Sequence, residues 1–187
     1  VFDQILKDLH DAELLFGERP MQDAYHASKE AVWGLLSRVY LYMEDWDNAI
    51  LYASKVIDTM PLAEGDNYLG MYHNLIAGQE AILRLNGTLK GKSIGNFFSS
   101  NEAIAMPADT LMSLFNNPDD IRLQLFSAGS GQRNISTKYR IKVDFTTEQE
   151  RYDPFILRVS EMYLNRAEAY AAKNELTEAS NDLKAMI

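Results

Sequence analysis

One sequence pattern occurs twice, and it constrains the fold more than any other feature. Trp33, Leu36, Ser37, Tyr40, Ala49, Ala53 and Pro61 stand at the offsets of a two-helix repeat of tetratricopeptide type. Tyr163, Ala167, Tyr170, Ala179 and Leu183 follow the same spacing. Small residues at Ser37, Ala49, Ala167 and Ala179 let paired helices approach closely, while Trp33, Tyr40 and Tyr170 fill the space between pairs. Ser37 replaces the usual glycine, Ala53 the usual aromatic and Arg166 the usual leucine. The two matches start at positions 33 and 163, 130 residues apart, so this is not an uninterrupted tandem array. The expected fold is mainly α, with tetratricopeptide-like helix hairpins and an irregular insert carrying minor β. The expected divisions are 1–63 (helical), 64–153 (insert with loops, short strands and a helix) and 154–187 (a second, truncated helix pair).

Local patterns refine this picture. Phe2, Ile5, Leu6, Leu9, Ala12 and Leu15/Phe16 have the spacing of an amphipathic helix over residues 1–16, ended by Gly17 and Pro20. Helices are expected over 27–43 and, with Asp45 or Asp47 as cap, up to about Thr59, where Pro61 stops the run. Six of the ten glycines fall within 62–105, a density that favours loops and short strands over helix. Residues 80–85 and 138–145 read as strands, 107–115 as a helix and 127–137 as a surface loop. A strong helix is expected from about 155 to 172, and a last one from near Leu176, capped by Asn174 or Thr177.

Composition excludes several classes. With 18 Lys and Arg against 27 Asp and Glu the formal charge is -9, and no run of basic residues offsets it, so nucleic acid is not an expected partner. The absence of cysteine rules out disulfides and Cys-ligated metal sites. No stretch approaches the ~18 apolar residues of a spanning helix. The chain opens directly into one helical pattern and stops at Ile187 inside another, so it is expected to be an internal piece of a longer protein.

Six segments, in order, resemble the SusD/RagB family of nutrient-binding outer-membrane lipoproteins of Bacteroidetes-type bacteria. Residues 1–15 are similar to the family's helix ahead of its tetratricopeptide pairs, 36–50 to its most recognisable hairpin and 80–85 to the strand after it. Asp120 and Arg122 resemble its recurrent Asp-x-Arg, and Lys138 with Tyr139 its Lys-Tyr. Leu157, Arg158, Glu161, Leu164, Ala167, Glu168 and Ala169 match its Leu-Arg-x-x-Glu-x-x-Leu-x-x-Ala-Glu-Ala signature. The resemblance implies non-catalytic capture of an oligosaccharide or related nutrient at the outer-membrane surface. It also implies a SusC-type TonB-dependent transporter as partner and a lipid anchor on an N-terminal Cys that this sequence lacks. No cofactor is implied. The alternative is a helical-repeat scaffold that binds a protein or peptide.

Sugar sites set flat rings against C–H faces and polar groups against hydroxyls. The insert offers Tyr68, Tyr72, His73 and Asn74 in one stretch and Asn96, Phe97 and Phe98 in another. Tyr68, Tyr72, Asn96, Phe97 and Phe98 are the candidate ligand-binding residues. Trp33 and Trp46 sit in or beside the repeat and are expected to pack in the core.

Other motifs weigh little. Residues 87–93 imitate a phosphate loop, but three residues separate the glycines where four are needed. His10, His26 and His73 are scattered, and His10 with Asp8 and Asp11 reads as a solvated helix face rather than a metal site. Asp119/Asp120 and Glu148/Glu150 could be cast as an acid–base pair for glycoside cleavage, yet loop carboxylates more often cap helices or solvate. Ser130 lacks the spacing of a nucleophile elbow. No catalytic residue is expected. Arg158 and Glu161, three apart, can pair on a helix, and Asp120 and Arg122 are expected to form another structural ion pair.

Overall fold

The computed structural model describes residues 1–73, 80–86, 105–128, 134–138, 141–142, 150–151 and 153–186. The chain divides into two units: Val1–Leu62, Gln79–Leu85 and Phe155–Ile187 form the first, and Ala63–Gly78 with Asn86–Pro154 the second.

The first unit is mainly α-helical. Helix α1 (Phe2–Phe16) ends at Gly17, whose φ of 55° is readily available to glycine. Ser28 caps α2 (Lys29–Tyr42), its hydroxyl accepting from the Ala31 N–H at 3.2 Å. Asp45 caps α3 (Trp46–Ile57) by accepting from the Asn48 N–H, which settles the choice between Asp45 and Asp47. Between α2 and α3 the chain reverses through Glu44, at φ 59°. The Asp45 N–H then donates to the Tyr40 carbonyl at 3.0 Å.

The same reversal recurs 130 residues on. After helix α6 (Val159–Ala172), Asn174 takes φ 63°, the Glu175 N–H donates to the Tyr170 carbonyl at 2.8 Å, and α7 (Leu176–Lys184) begins. No side chain caps α7, so neither Asn174 nor Thr177 fills that role. Asn174 instead supplies the left-handed turn, a conformation that asparagine tolerates better than most residues.

A strand pair joins the hairpins. Strand β1 (Ala81–Arg84) runs antiparallel to β6 (Phe155–Arg158), with Ala81 opposite Arg158 and Arg84 opposite Phe155 across an irregular register. Helical spacing over 155–172 predicts one long helix, but its first four residues form this strand. Tertiary pairing with β1 overrides the local helical pattern there.

Two apolar clusters hold the unit together. Ala31, Ala53, Val56, Ile82, Leu157, Val159 and Met162 bring α2, α3, α6 and both strands into one core. Val32, Leu36, Tyr40, Ala49, Tyr52 and Ala169 form the other, against which α1 lays Leu6, Leu9, Ala12 and Phe16. Leu15, expected on the buried side of α1 as an alternative to Phe16, is exposed. Ser37 shows why a serine serves at the glycine position. It is small enough to be fully buried, and its hydroxyl donates to the Ala49 carbonyl at 3.2 Å.

The second unit carries shorter elements. Helix α4 (Gly65–His73) contradicts the expectation of loops there. Only Gly65 and Gly70 fall within it, and the other four glycines of 62–105 lie beyond it. Helix α5 is a single turn (Asp109–Met112), much shorter than the expected 107–115. A 3-10 turn (Ile121–Leu125) leads into β2 (Phe126–Ala128), which pairs antiparallel with β3 (Asn134–Ser136). Residues expected as one surface loop over 127–137 therefore include a short ladder. Its polar sequence hid it, because only Ile135 of β3 is buried. Strand β4 (Ile141–Lys142) pairs with β5 (Glu150–Arg151).

Candidate functional site

Helix α4 places Tyr68 and Tyr72 one turn apart on the same face. Their rings meet edge to face, 5.4 Å between centroids at 71°. Tyr72 is fully buried, whereas Tyr68 is only half-buried. The Lys138 ammonium lies 5.1 Å from the Tyr72 ring centroid. Thus of this pair Tyr68 carries exposed ring surface, and Tyr72 supports it from below. His73 closes α4, while Asn74, Asn96, Phe97 and Phe98 lie outside the described residues.

Beside α4 stands a second group. Asp120 accepts from Arg122 twice over: the Arg122 Nε reaches Oδ1 at 2.9 Å and Nη2 reaches Oδ2 at 2.6 Å. The Arg122 backbone N–H also donates to Oδ1 at 2.9 Å, so one carboxylate both starts the 3-10 turn and fixes the guanidinium. Those hydrogen bonds, opposed by a smaller cost of burial, hold the Asp120 carboxyl below its ordinary range. The guanidinium carbon lies 5.5 Å from the Phe115 ring centroid, and Phe115 meets Phe126 edge to face at 5.5 Å. The Asp-x-Arg spacing was visible in sequence. Phe115 and Phe126 carry no such signal, since eleven positions and an irregular stretch separate them.

The remaining candidates are structural or lie elsewhere. The Trp33 Nε1 donates to Glu13 at 2.6 Å, and Lys29 and Lys55 sit 5.3 and 5.4 Å from its ring. Trp46 packs against the cluster around Leu36. His10 meets the Tyr40 hydroxyl at 3.0 Å, while Asp8 accepts from Gln4 and Asp11 from Lys7. His26 pairs with Asp23 at 2.8 Å. Among the described residues no three His, Asp or Glu side chains converge as a metal site. Residues 87–93, Ser130 and Glu148 lie outside the described residues. Asp119 is exposed.

The expected Arg158–Glu161 pair does not form. Both Glu161 oxygens accept from Arg38, at 2.7 and 2.8 Å, and Arg158 approaches Glu80 at 3.8 Å instead. Arg158 ends a strand, so the helical three-residue spacing that would bring it to Glu161 does not apply.

Two tetratricopeptide-type hairpins joined by a strand ladder, with an aromatic and cationic group in a separate unit, define a mainly α repeat-scaffold protein. The SusD family model matches residues 128–186. Solved structures share its fold. A SusD superfamily protein from Bacteroides vulgatus ATCC 8482 is 22% identical with a TM-score of 0.78, over 99% of this chain and 44% of that one. A SusD-like carbohydrate binding protein from the same organism is 23% identical with a TM-score of 0.74, over 99% and 42%. A SusD superfamily protein from Bacteroides thetaiotaomicron VPI-5482 is 23% identical with a TM-score of 0.74, over 98% and 45%. The chain thus spans less than half the length of these structures. No curated protein matches it.

Proposed function

We propose that this chain is part of a non-catalytic protein that captures an oligosaccharide or related nutrient at the outer-membrane surface and hands it to a SusC-type TonB-dependent transporter. The ligand would meet residues 64–153, the insert between the helical regions 1–63 and 154–187. The observation that carries this reading is the half-buried Tyr68 ring, braced edge to face on the buried Tyr72. A braced ring loses little freedom on binding and offers a flat apolar face to a sugar. The match of residues 128–186 to the SusD family model and a fold shared with a SusD-like carbohydrate binding protein support the same reading.

Asp120 also fits binding better than cleavage. Arg122 holds its carboxyl ionised well below neutrality, the opposite of what a general acid for glycoside hydrolysis requires. No helix among the described residues is long and apolar enough to cross a membrane.

The test is calorimetric titration of the full protein with soluble polysaccharides while released reducing sugar is assayed. Binding without release, weakened about tenfold by Tyr68→Ala, is the expected result. Sugar release would overturn the non-catalytic reading. Absence of glycan binding would move the weight to a scaffold for a protein or peptide, which the two hairpins would suit.

A further inference from the structure

Arg122 stands out because it is held firmly yet left accessible. Its side chain is 58% exposed, while its partner Asp120 is only 14% exposed. The carboxylate takes the Nε and Nη2 edge of the guanidinium, and Phe115 lies 5.5 Å from its carbon. Among the described residues the remaining nitrogen, Nη1, has no hydrogen-bond partner. Hydrogen bonding to Asp120 is the first cause of an upward push on the Arg122 pKa, outweighing a cost of burial. The 3-10 turn that carries Arg122 packs against α4, which carries Tyr68.

Two consequences follow from the chemistry. A guanidinium clamped along one edge keeps its plane, so the free Nη1 is a preoriented donor for a sugar oxygen. Its positive charge is already matched by the Asp120 carboxylate, so little is left over to attract an anion. The chain as a whole carries a formal charge of -9, which disfavours acidic sugars further.

Resting on the capture reading above, we infer that Arg122, clamped by Asp120 and Phe115 beside Tyr68, is a hydroxyl-binding residue of a site selective for neutral rather than uronate or sulfated glycans. Tyr68 supplies the face and Arg122 Nη1 the orienting donor. Asp120 is a positioning residue that acts through Arg122.

The experiment titrates the full protein with soluble starch, galactomannan, polygalacturonate and chondroitin sulfate, each at about 50 mM and about 500 mM salt. A neutral polymer should bind, with affinity changing by less than about twofold across that range, because no net charge is neutralised. Arg122→Gln should weaken it about tenfold, the loss of one charge-assisted hydrogen bond. Arg122→Lys should not restore it, since an ammonium cannot hold Asp120 along one edge and present a fixed second donor. Thermal melts of the variants separate lost binding from lost folding. If Arg122→Gln fails to fold, the salt dependence of the unaltered protein still decides. Tight binding of polygalacturonate or chondroitin sulfate that falls steeply with salt would overturn the inference and leave glycan capture standing. Full affinity in Arg122→Gln would overturn it too. Failure of all four polymers to bind would overturn both.

Discussion

Arg166 and Asp182 meet in a two-point ion pair at the positions that Leu36 and Tyr52 occupy in the first hairpin. The Arg166 Nε reaches Oδ2 at 2.8 Å and Nη2 reaches Oδ1 at 2.7 Å, while Nη1 donates to the Ser54 hydroxyl at 3.0 Å. Leu36 and Tyr52 are both buried in one apolar cluster. An apolar contact in one copy of the hairpin is thus replaced by an ion pair in the other, with 17% and 7% of the two side chains exposed. The departure from leucine at Arg166 has its complement sixteen residues later.

That exchange predicts an asymmetric mutational response. Arg166→Ala leaves the Asp182 carboxylate enclosed and unmatched, and should cost about 2–4 kcal/mol in chemical denaturation. The double change Arg166→Leu with Asp182→Tyr restores the pairing of the first hairpin and should recover most of that loss. Near-wild-type stability in Arg166→Ala would show that the pair contributes nothing.

Gly34 sits inside α2 facing Leu157 and Met162. A methyl added there would lie 3.4 and 3.5 Å from the two Leu157 δ carbons and 3.6 Å from the Met162 sulfur, ordinary contact distances. Gly34→Ala should therefore stabilise the protein by about 0.5–1 kcal/mol through helix propensity and added packing. Gly34→Leu needs room that this contact does not offer, and should destabilise by about 1–3 kcal/mol. A pair of thermal melts distinguishes the two signs.

The seat of α1 should respond to both acid and alkali. Burial works against the Glu13 carboxylate, but hydrogen bonds from Trp33 and Lys55 and the Lys55 charge outweigh it, so its pKa lies below the ordinary 4.5. Its stabilising contribution is present above that ordinary value and is lost as pH falls through the lower folded one. Tyr52 goes the other way. Burial first, then the Glu13 charge, push its phenol up to about 12 from 10.0. Stability held by the neutral phenol is complete below the unfolded value and declines as pH rises from there through the folded one. Tyrosinate absorbance should reveal one phenol titrating near 12, and a Tyr52→Phe variant should lack it. Trp33 fluorescence in a Trp46→Phe background should report the acid transition, and Glu13→Gln should remove it.

The helical unit was readable from sequence because its signals are local. Small residues at Ser37, Ala49, Ala167 and Ala179 and caps such as Asp45 act within a few positions along the chain. The features without a local signal depend on distant partners. Residues 155–158 carry helical spacing yet form a strand, because β1 lies more than seventy positions earlier and supplies the ladder. Glu161 sits three from Arg158, but Arg38 takes it from another helix. In the second unit the Asp120–Arg122 spacing was legible and its setting on Phe115 was not. Tyr68 and Tyr72 stand out together in the sequence, and only the packing distinguishes the accessible ring from the enclosed one.

The ladder between β1 and β6 has a bearing on how such a chain can diversify. The polypeptide departs just after Arg84 and returns at Phe155, and these two residues face each other across the strands. Both ends of the intervening excursion are therefore moored at one spot, whatever its length. Closing a longer excursion costs only slowly more, roughly 0.6 kcal/mol per doubling. Residues 86–154 can thus be lengthened, trimmed or exchanged like a cartridge in a fixed holder, while the helix hairpins keep their own terms of folding.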